Sequence, residues 1–188
     1  MIIGILAVQG AFIEHAKALS KLKVETFEIR QKKDLTKPMD GLILPGGEST
    51  AMGLLLHDLD MFDTLKEMIE KGLPVLGTCA GMILLAKHLT GTNQTHFKTM
   101  DIEVLRNAYG RQLGSFITDA LFNDVVIPMT FIRAPYVSHI GPDVKVLSIV
   151  NEKIVAVQQG NQLATAFHPE LTDSTYVHEY FLSIIKNK

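Results

Sequence analysis

The only cysteine of the chain, Cys79, sits in the stretch GTCAG, where an apolar, strand-like run turns sharply between glycines. A cysteine thiolate is a strong nucleophile. Small residues at Gly77, Ala80 and Gly81 leave the crowded backbone free of bulk, as a nucleophile elbow requires. A helix starting near Gly81 would place its positive end and free N–H groups beside the sulfur, which favours the thiolate. A nucleophile also needs a base, and AFHPE places His168 where an apolar run ends, with Glu170 two residues on. Pro169 biases His168 towards extended backbone, in which residues i and i+2 point the same way. Glu170 could then hold one imidazole nitrogen while the other faces Cys79. This is the nucleophile, base and orienting-acid logic of covalent catalysis, in the chain order Cys, His, Glu.

Attack on an acyl carbon creates an oxyanion, which needs preorganised N–H donors. The stretch LILPGGEST, Leu42 to Thr50, ends an apolar run on Gly46-Gly47. Glycines there can aim backbone amides without side-chain obstruction, so Gly46 and Gly47 form one expected wall of an oxyanion hole and the Ala80 N–H the other. Each feature also has a plainer reading. A lone cysteine is most often a small buried hydrophobe, His-x-Glu by itself is a weak signal, and Gly46-Gly47 also suits a tight turn before a helix capped by Ser49 or Thr50. A metal site at Cys79 and His168 lacks a clustered ligand set, and neither GxxxxGK[ST] nor GxGxxG is present to cradle phosphate. Of the other histidines, His15, His57, His88, His96, His139 and His178, most fall on expected helices or in polar loops and read as solvated groups.

The elements that must position these groups alternate in the first half. Ile2–Val8 is a continuous apolar run followed by Phe12, Ala16 and Leu19 at helical spacing. Val24–Ile29 and Gly41–Leu44 are further strands, Met61–Glu70 is an amphipathic helix stopped by Gly72, Val75-Leu76 is a short strand, and Met82–His88 reads as a helix. After Thr90 the pattern changes to short strands: Ile102 and Val104, Phe116-Ile117, Val125–Ile127 and Phe131-Ile132. Lys145–Val150, Lys153–Gln159 and Leu163–Phe167 follow, joined by the hairpin loops Asn151-Glu152 and Gly160-Asn161. Tyr176–Lys186 is a closing amphipathic helix. Alternating β and α implies a parallel sheet covered by helices, so the expected fold is a three-layer α/β sheet, mostly parallel, with antiparallel additions. Both glycine corners fall at carboxyl ends of strands, where such sheets build their sites.

The chain has 188 residues and a mass of 20.8 kDa. That length reads as one domain, 1–188, burying roughly 70% of its unfolded surface. A formal net charge of −2 leaves no basic surplus for phosphate backbones or anionic lipid, which argues against nucleic-acid and membrane partners. No run approaches the ~20 apolar residues of a membrane span. Ile2–Val8 lacks the basic flank and length of a signal peptide, and one cysteine makes no disulfide framework, so a reducing, cytoplasmic location is expected.

Taken together, PGGEST, GTCAG and FHPE resemble the class I glutamine amidotransferases, which use a Cys-His-Glu triad on a flavodoxin-like fold to hydrolyse the glutamine side-chain amide and pass ammonia to a partner. More narrowly, LAVQGAFIEH, LILPGGEST, GTCAGMILLAK, RNAYGRQ, FIRAP and FHPELT resemble the glutaminase subunits of pyridoxal 5'-phosphate synthase, over Leu6 to Thr172. The resemblance implies that Cys79 is the nucleophile, His168 the general acid and base, and Glu170 its orienter. It implies a pocket for L-glutamine at Gly47, Glu48, Ser49, Arg106, Ile132 and Arg133, and a separate synthase subunit to consume the ammonia; it calls for no cofactor and no metal. Guanidinium groups suit a substrate carboxylate and an acid suits its ammonium, although surface ion pairs would be the ordinary reading of Arg106 and Arg133. Departures are slight: Ala166 precedes Phe167 where a small polar residue is frequent, and 89–98 looks variable. Alternatives are a glutaminase subunit of another synthase, a different flavodoxin-like cysteine hydrolase, and a non-catalytic glutamine-binding regulator. Retention of all three triad residue types argues against the last.

Overall fold

A computed structural model describes residues 1–106 and 114–187. The strands are β1 (Ile2–Leu6), β2 (Glu25–Ile29), β3 (Gly41–Leu44), β4 (Val75–Thr78), β5 (Ala86–Leu89), β6 (Met100–Leu105), β7 (Ser115–Phe122), β8 (Val125–Ile132), β9 (Tyr136–Ile140), β10 (Lys145–Val150), β11 (Lys153–Gln159) and β12 (Gln162–Thr165). The helices are α1 (Phe12–Lys21), α2 (Ser49–Asp58), α3 (Phe62–Glu70), α4 (Ala80–Leu85) and α5 (Tyr176–Lys186), with short 3-10 turns at Lys32–Thr36 and Pro169–Leu171.

The main sheet runs β2-β1-β3-β4-β12-β11-β9-β6-β5, with β10 added beside β11. From β2 to β12 every pairing is parallel. Beyond β12 the chain returns antiparallel through β11, β9 and β6. The parallel strands are buried on both faces, as their continuous apolar sequences require: Leu42, Ile43, Leu44, Val75 and Leu76 have no exposed surface. Each such side chain contributes about 1.5–3 kcal/mol relative to solvent, so the strand ends that carry the site rest on the best-packed part of the molecule. The mixed α/β architecture with a parallel centre and antiparallel additions is the one the residue pattern implies.

Three local departures have physical causes. The run Met82–His88 is not one helix: α4 stops at Leu85 and Ala86–Leu89 becomes β5, paired in parallel with β6. The carbonyls left at the end of α4 are taken by backbone N–H groups of the next segment, Phe97 on Leu84 and Thr99 on Leu85, so a sheet edge outcompetes one more helical turn. The short runs Phe116-Ile117, Val125–Ile127 and Phe131-Ile132 are parts of one long hairpin, β7–β8, which forms a separate two-stranded sheet packed on the common core. Its turn residues Asn123 and Asp124 both have positive φ, 44° and 69°, the geometry that matches strand twist in two-residue loops. Tyr136–Ile140 is a strand with no strong periodicity of its own; it exists because β6 and β11 flank it. The hairpins expected at Asn151-Glu152 and Gly160-Asn161 are present.

Candidate active site

Cys79 occupies the single residue between β4 and α4, with φ 49° and ψ −99°. Positive φ at a residue with a side chain costs energy and persists only where its surroundings enforce it. Here the Cys79 N–H donates to the Thr165 carbonyl at 2.7 Å, which ties the corner to β12, and the Cys79 carbonyl accepts the first helical bond from Ile83 N–H at 3.3 Å. The turn is tight because Gly77 lies against Gly81, and Gly81 against the Leu44 carbonyl; a Cβ at either would collide. Cys79 is 7% exposed, so it is more enclosed than an elbow at a surface, yet it lines a cavity.

His168 follows β12 after two buried residues. Its N–H donates to the Thr130 carbonyl of β8 at 2.8 Å, and its Nδ1 lies 2.7 Å from Glu170 Oε1. The route to that contact differs from the expected extended segment: Pro169 starts a 3-10 turn, and this turn swings Glu170 back under the ring. Burial opposes charging of His168. The hydrogen-bonded Cys79 side chain and the Glu170 carboxylate outweigh it and raise the ring to about 10. For Glu170, burial opposes ionisation, but the His15 ring beside it and the His168 hydrogen bond hold its carboxyl below the usual range. An imidazolium fixed in this way is the counter-charge that a sulfur anion needs.

The cavity beside Cys79 and His168 has a volume of about 560 Å³. It takes in Gly46, Gly47, Glu48 and Ser49 on one side and Arg106, Ile132 and Arg133 on the other. Every pocket residue expected from the sequence therefore borders one space, while Ala80 and Glu170 stand behind its wall. Gly46 and Gly47 do not have positive φ; they are needed for close approach. A Cβ on Gly46 would strike the His168 ring, and one on Gly47 would strike the Gln9 side chain.

Two pocket residues already have partners within the chain. The Glu48 carboxylate caps α2, accepting from Thr50 N–H at 3.0 Å and Ala51 N–H at 2.6 Å. It, and neither Ser49 nor Thr50, is the N-cap. Burial acts against its ionisation, but these hydrogen bonds and Arg106 keep its carboxyl low. Arg106 Nη2 lies 3.5 Å from Glu48 Oε1 and 3.3 Å from Thr50 Oγ1. The rest of the RNAYGRQ motif, 107–112, lies outside the described residues. Arg133 closes the β8 end with φ 44°, its N–H donating to the Gly114 carbonyl.

Sequence reasoning did not single out Gln9, whose Oε1 accepts the Glu48 N–H at 2.8 Å, nor the Ala11 N–H, which donates to the Gly46 carbonyl at 3.0 Å. Both lie in the loop between β1 and α1, so the Gly10 turn in VQG was the available signal. Nor are all the other histidines solvated: His15 and His178 have no exposed surface and touch each other behind Glu170. Among the described residues no cluster of His, Cys, Asp and Glu could hold a metal ion, and no helix is long and apolar enough to cross a membrane.

A sulfur nucleophile, an imidazole and a carboxylate converge beside a cavity with two guanidinium groups and backbone amides, a set suited to acyl transfer from a small zwitterion. Known proteins are similar to this chain over nearly its whole length. Over 190 residues the chain is 56% identical to the pyridoxal 5'-phosphate synthase subunit PdxT of Haemophilus influenzae (strain PittEE), covering 99% of both chains. It is 55% identical to the protein of the same name from Streptococcus pneumoniae (strain CGSP14), over 100% of this chain and 99% of that one. A solved crystal structure of a glutamine amidotransferase superposes with a TM-score of 0.93 at 40% identity, covering 99% of this chain and 100% of that one. The sequence model of the SNO glutamine amidotransferase family matches residues 5–187, and the chain belongs to that family.

Proposed function

We propose that this chain is the glutaminase subunit of a pyridoxal 5'-phosphate synthase, forming a single catalytic unit over 1–188 that hydrolyses L-glutamine to glutamate and ammonia and delivers the ammonia to a synthase subunit in the cytoplasm. The observation that carries the reading is that Cys79 of the β4–α4 corner and His168, backed by Glu170, meet from two separate segments beside a cavity bordered by Arg106 and Arg133. The near-complete match to proteins named as subunits of that synthase supports the choice of partner.

In this mechanism the Cys79 sulfur attacks the carboxamide carbon of glutamine. The oxyanion is received by backbone N–H groups of the Gly46-Gly47 corner and of Ala80. His168, protonated at the start, gives its proton to the departing nitrogen, which leaves as ammonia, and a glutamyl thioester remains on Cys79. The now neutral His168 takes a proton from water. The resulting hydroxide attacks the thioester, glutamate leaves, and the sulfur anion and imidazolium are restored. Glu170 holds the ring in one orientation and stabilises its charged form without itself taking the proton.

The test is ammonia release from glutamine in the presence of the synthase subunit. Cys79→Ala is expected to abolish it, and a glutamine-like electrophile to label Cys79 in the parent chain. Hydrolysis by Cys79→Ala at the parent rate would overturn the covalent mechanism.

A further inference from the structure

Behind Glu170 lies a buried pair of imidazoles that the mechanism above does not use. His15 of α1 places Nε2 at 3.1 Å from Thr78 Oγ1 and at 3.5 Å from Glu170 Oε2. Its Nδ1 lies 3.0 Å from Nε2 of His178 on α5. Both rings, Thr78 and the Glu170 side chain are shut off from solvent. Neither Glu170 Oε2 nor His178 Nδ1 has a hydrogen-bond partner among the described residues, so the 3.5 Å approach of His15 Nε2 is the nearest donor contact that Glu170 Oε2 has.

Only one arrangement of protons suits these contacts. If His15 carried its proton on Nδ1, its Nε2 lone pair would face the Glu170 carboxylate, and His178 would be left with an N–H pointing at nothing. With the proton of each ring on Nε2, the His15 N–H points between Thr78 Oγ1 and Glu170 Oε2, and the His178 N–H donates to His15 Nδ1. This leaves the His178 Nδ1 lone pair without a partner and gives Glu170 Oε2 an N–H at 3.5 Å in place of a lone pair, and a carboxylate stays ionised when donors face it. Protonation of either ring would put a second cation beside the His168 imidazolium. Burial opposes that: it lowers His15, against the pull of Glu170 and with the push of His168, while Glu14 pulls slightly the other way. It lowers His178 to about 3, with His15 acting in the same sense and Glu170 against it.

We infer that His15 is a positioning residue of the glutaminase site, a neutral N–H donor that holds the outer oxygen of Glu170, with its tautomer set by His178. The inference rests on the proposed role of Glu170. Its physical content is that the carboxylate is restrained at both oxygens, Oε1 by the 2.7 Å contact with His168 and Oε2 by the longer, 3.5 Å electrostatic approach of the His15 N–H. It can then neither rotate nor take up a proton, and the plane of the His168 ring is fixed relative to the Cys79 sulfur. Thr78 joins this grip to the strand that ends at Cys79.

Two measurements test it. In the full chain with 15N-labelled histidine, the ring nitrogen shifts of His15 and His178 are expected to be those of neutral rings protonated on Nε2 between pH 6 and pH 8. A charged ring at neutral pH, or an Nδ1–H tautomer at His15, would overturn the inference. In the complex with the synthase subunit, His15→Leu is expected to lower kcat for glutamine about tenfold at neutral pH with KM unchanged, and to move the acidic limb of the pH profile up by about one unit. His15→Gln, which can present an N–H at the same reach, is expected to keep the parent limb. A folded His15→Leu protein with the parent limb would show a merely structural role and overturn the inference; if that variant does not fold, the tautomers decide. The Cys79→Ala control separates the outcomes, because retained hydrolysis there breaks the underlying reading and leaves the tautomers as measured.

Discussion

Gly46 and the His168 ring lie in such close contact that no side chain fits between them; a Cβ on Gly46 would meet the imidazole carbon between its two nitrogens. A glycine of the PGGES corner thus limits where the His168 ring can sit. Gly46→Ala is expected to push the ring away from Cys79 and lower kcat for glutamine by about 100-fold, the effect of a displacement on the order of 1 Å in a catalytic group. Far-UV circular dichroism should be unchanged. A variant with parent kcat would show that the ring can move without loss.

The strain at Cys79 leads to a trade-off between stability and activity. Its φ of 49° with ψ of −99° costs a non-glycine residue of order 1–3 kcal/mol. Cys79→Gly is therefore expected to unfold at higher denaturant than Cys79→Ala, while both variants lack hydrolysis. Equal midpoints for the two would mean that the corner is not strained in the folded chain.

Arg106, just after β6, and Arg133, just after β8, both border the cavity, and their charges suit the carboxylate of an amino acid. Replacement of either by Ala is expected to raise KM for glutamine about 10- to 100-fold, the loss of a charged hydrogen bond, with a smaller effect on kcat. Arg106→Ala should also loosen Glu48, since the two are paired at 3.5 Å. A fall in kcat at unchanged KM would move these residues from substrate binding to the transition state or to the partner interface.

Stability should depend on pH through histidines of opposite sign. The His168 ring is raised to about 10 in the folded chain, against roughly 6.5 unfolded. Its contribution is full below pH 6.5 and is lost as pH rises towards 10. His15 and His178 are lowered, so their contribution is present above pH 6.5 and is lost as pH falls towards about 3. Denaturation midpoints across pH should fall on both sides of neutrality. His168→Asn should flatten the alkaline side alone, and an unchanged alkaline slope in that variant would contradict the assignment.

The Gly46 carbonyl is bound by the Ala11 N–H, and in a trans peptide the following Gly47 N–H points the opposite way. Turning that amide towards or away from an oxyanion means breaking one defined hydrogen bond. Contact of a synthase subunit near VQG and PGGES could shift this balance. The free chain is expected to release ammonia about 10²- to 10³-fold more slowly than the complex, the cost of one missing oxyanion donor. Titration of the chain with the synthase subunit checks it; a rate already maximal without the subunit would remove the switch and leave the Cys79 chemistry standing.

The sequence by itself determined what is local. Continuous apolar runs specify buried parallel strands, Gly72 ends α3, and paired turn residues close the hairpins, because each depends on neighbours a few residues away; the residue types at Cys79, His168 and Glu170 suggested the chemistry proposed for them. Tertiary structure decided what depends on distant partners. Ala86–Leu89 is a strand because β6 lies beside it, and His15 is buried because α5 brings His178 to it across 163 positions of chain. Gly46 must be glycine because His168 packs on it. Glu48 caps a helix and pairs with Arg106, where the family resemblance implied only a substrate contact. No periodicity records these meetings, since they arise from how the sheet stacks its strand ends.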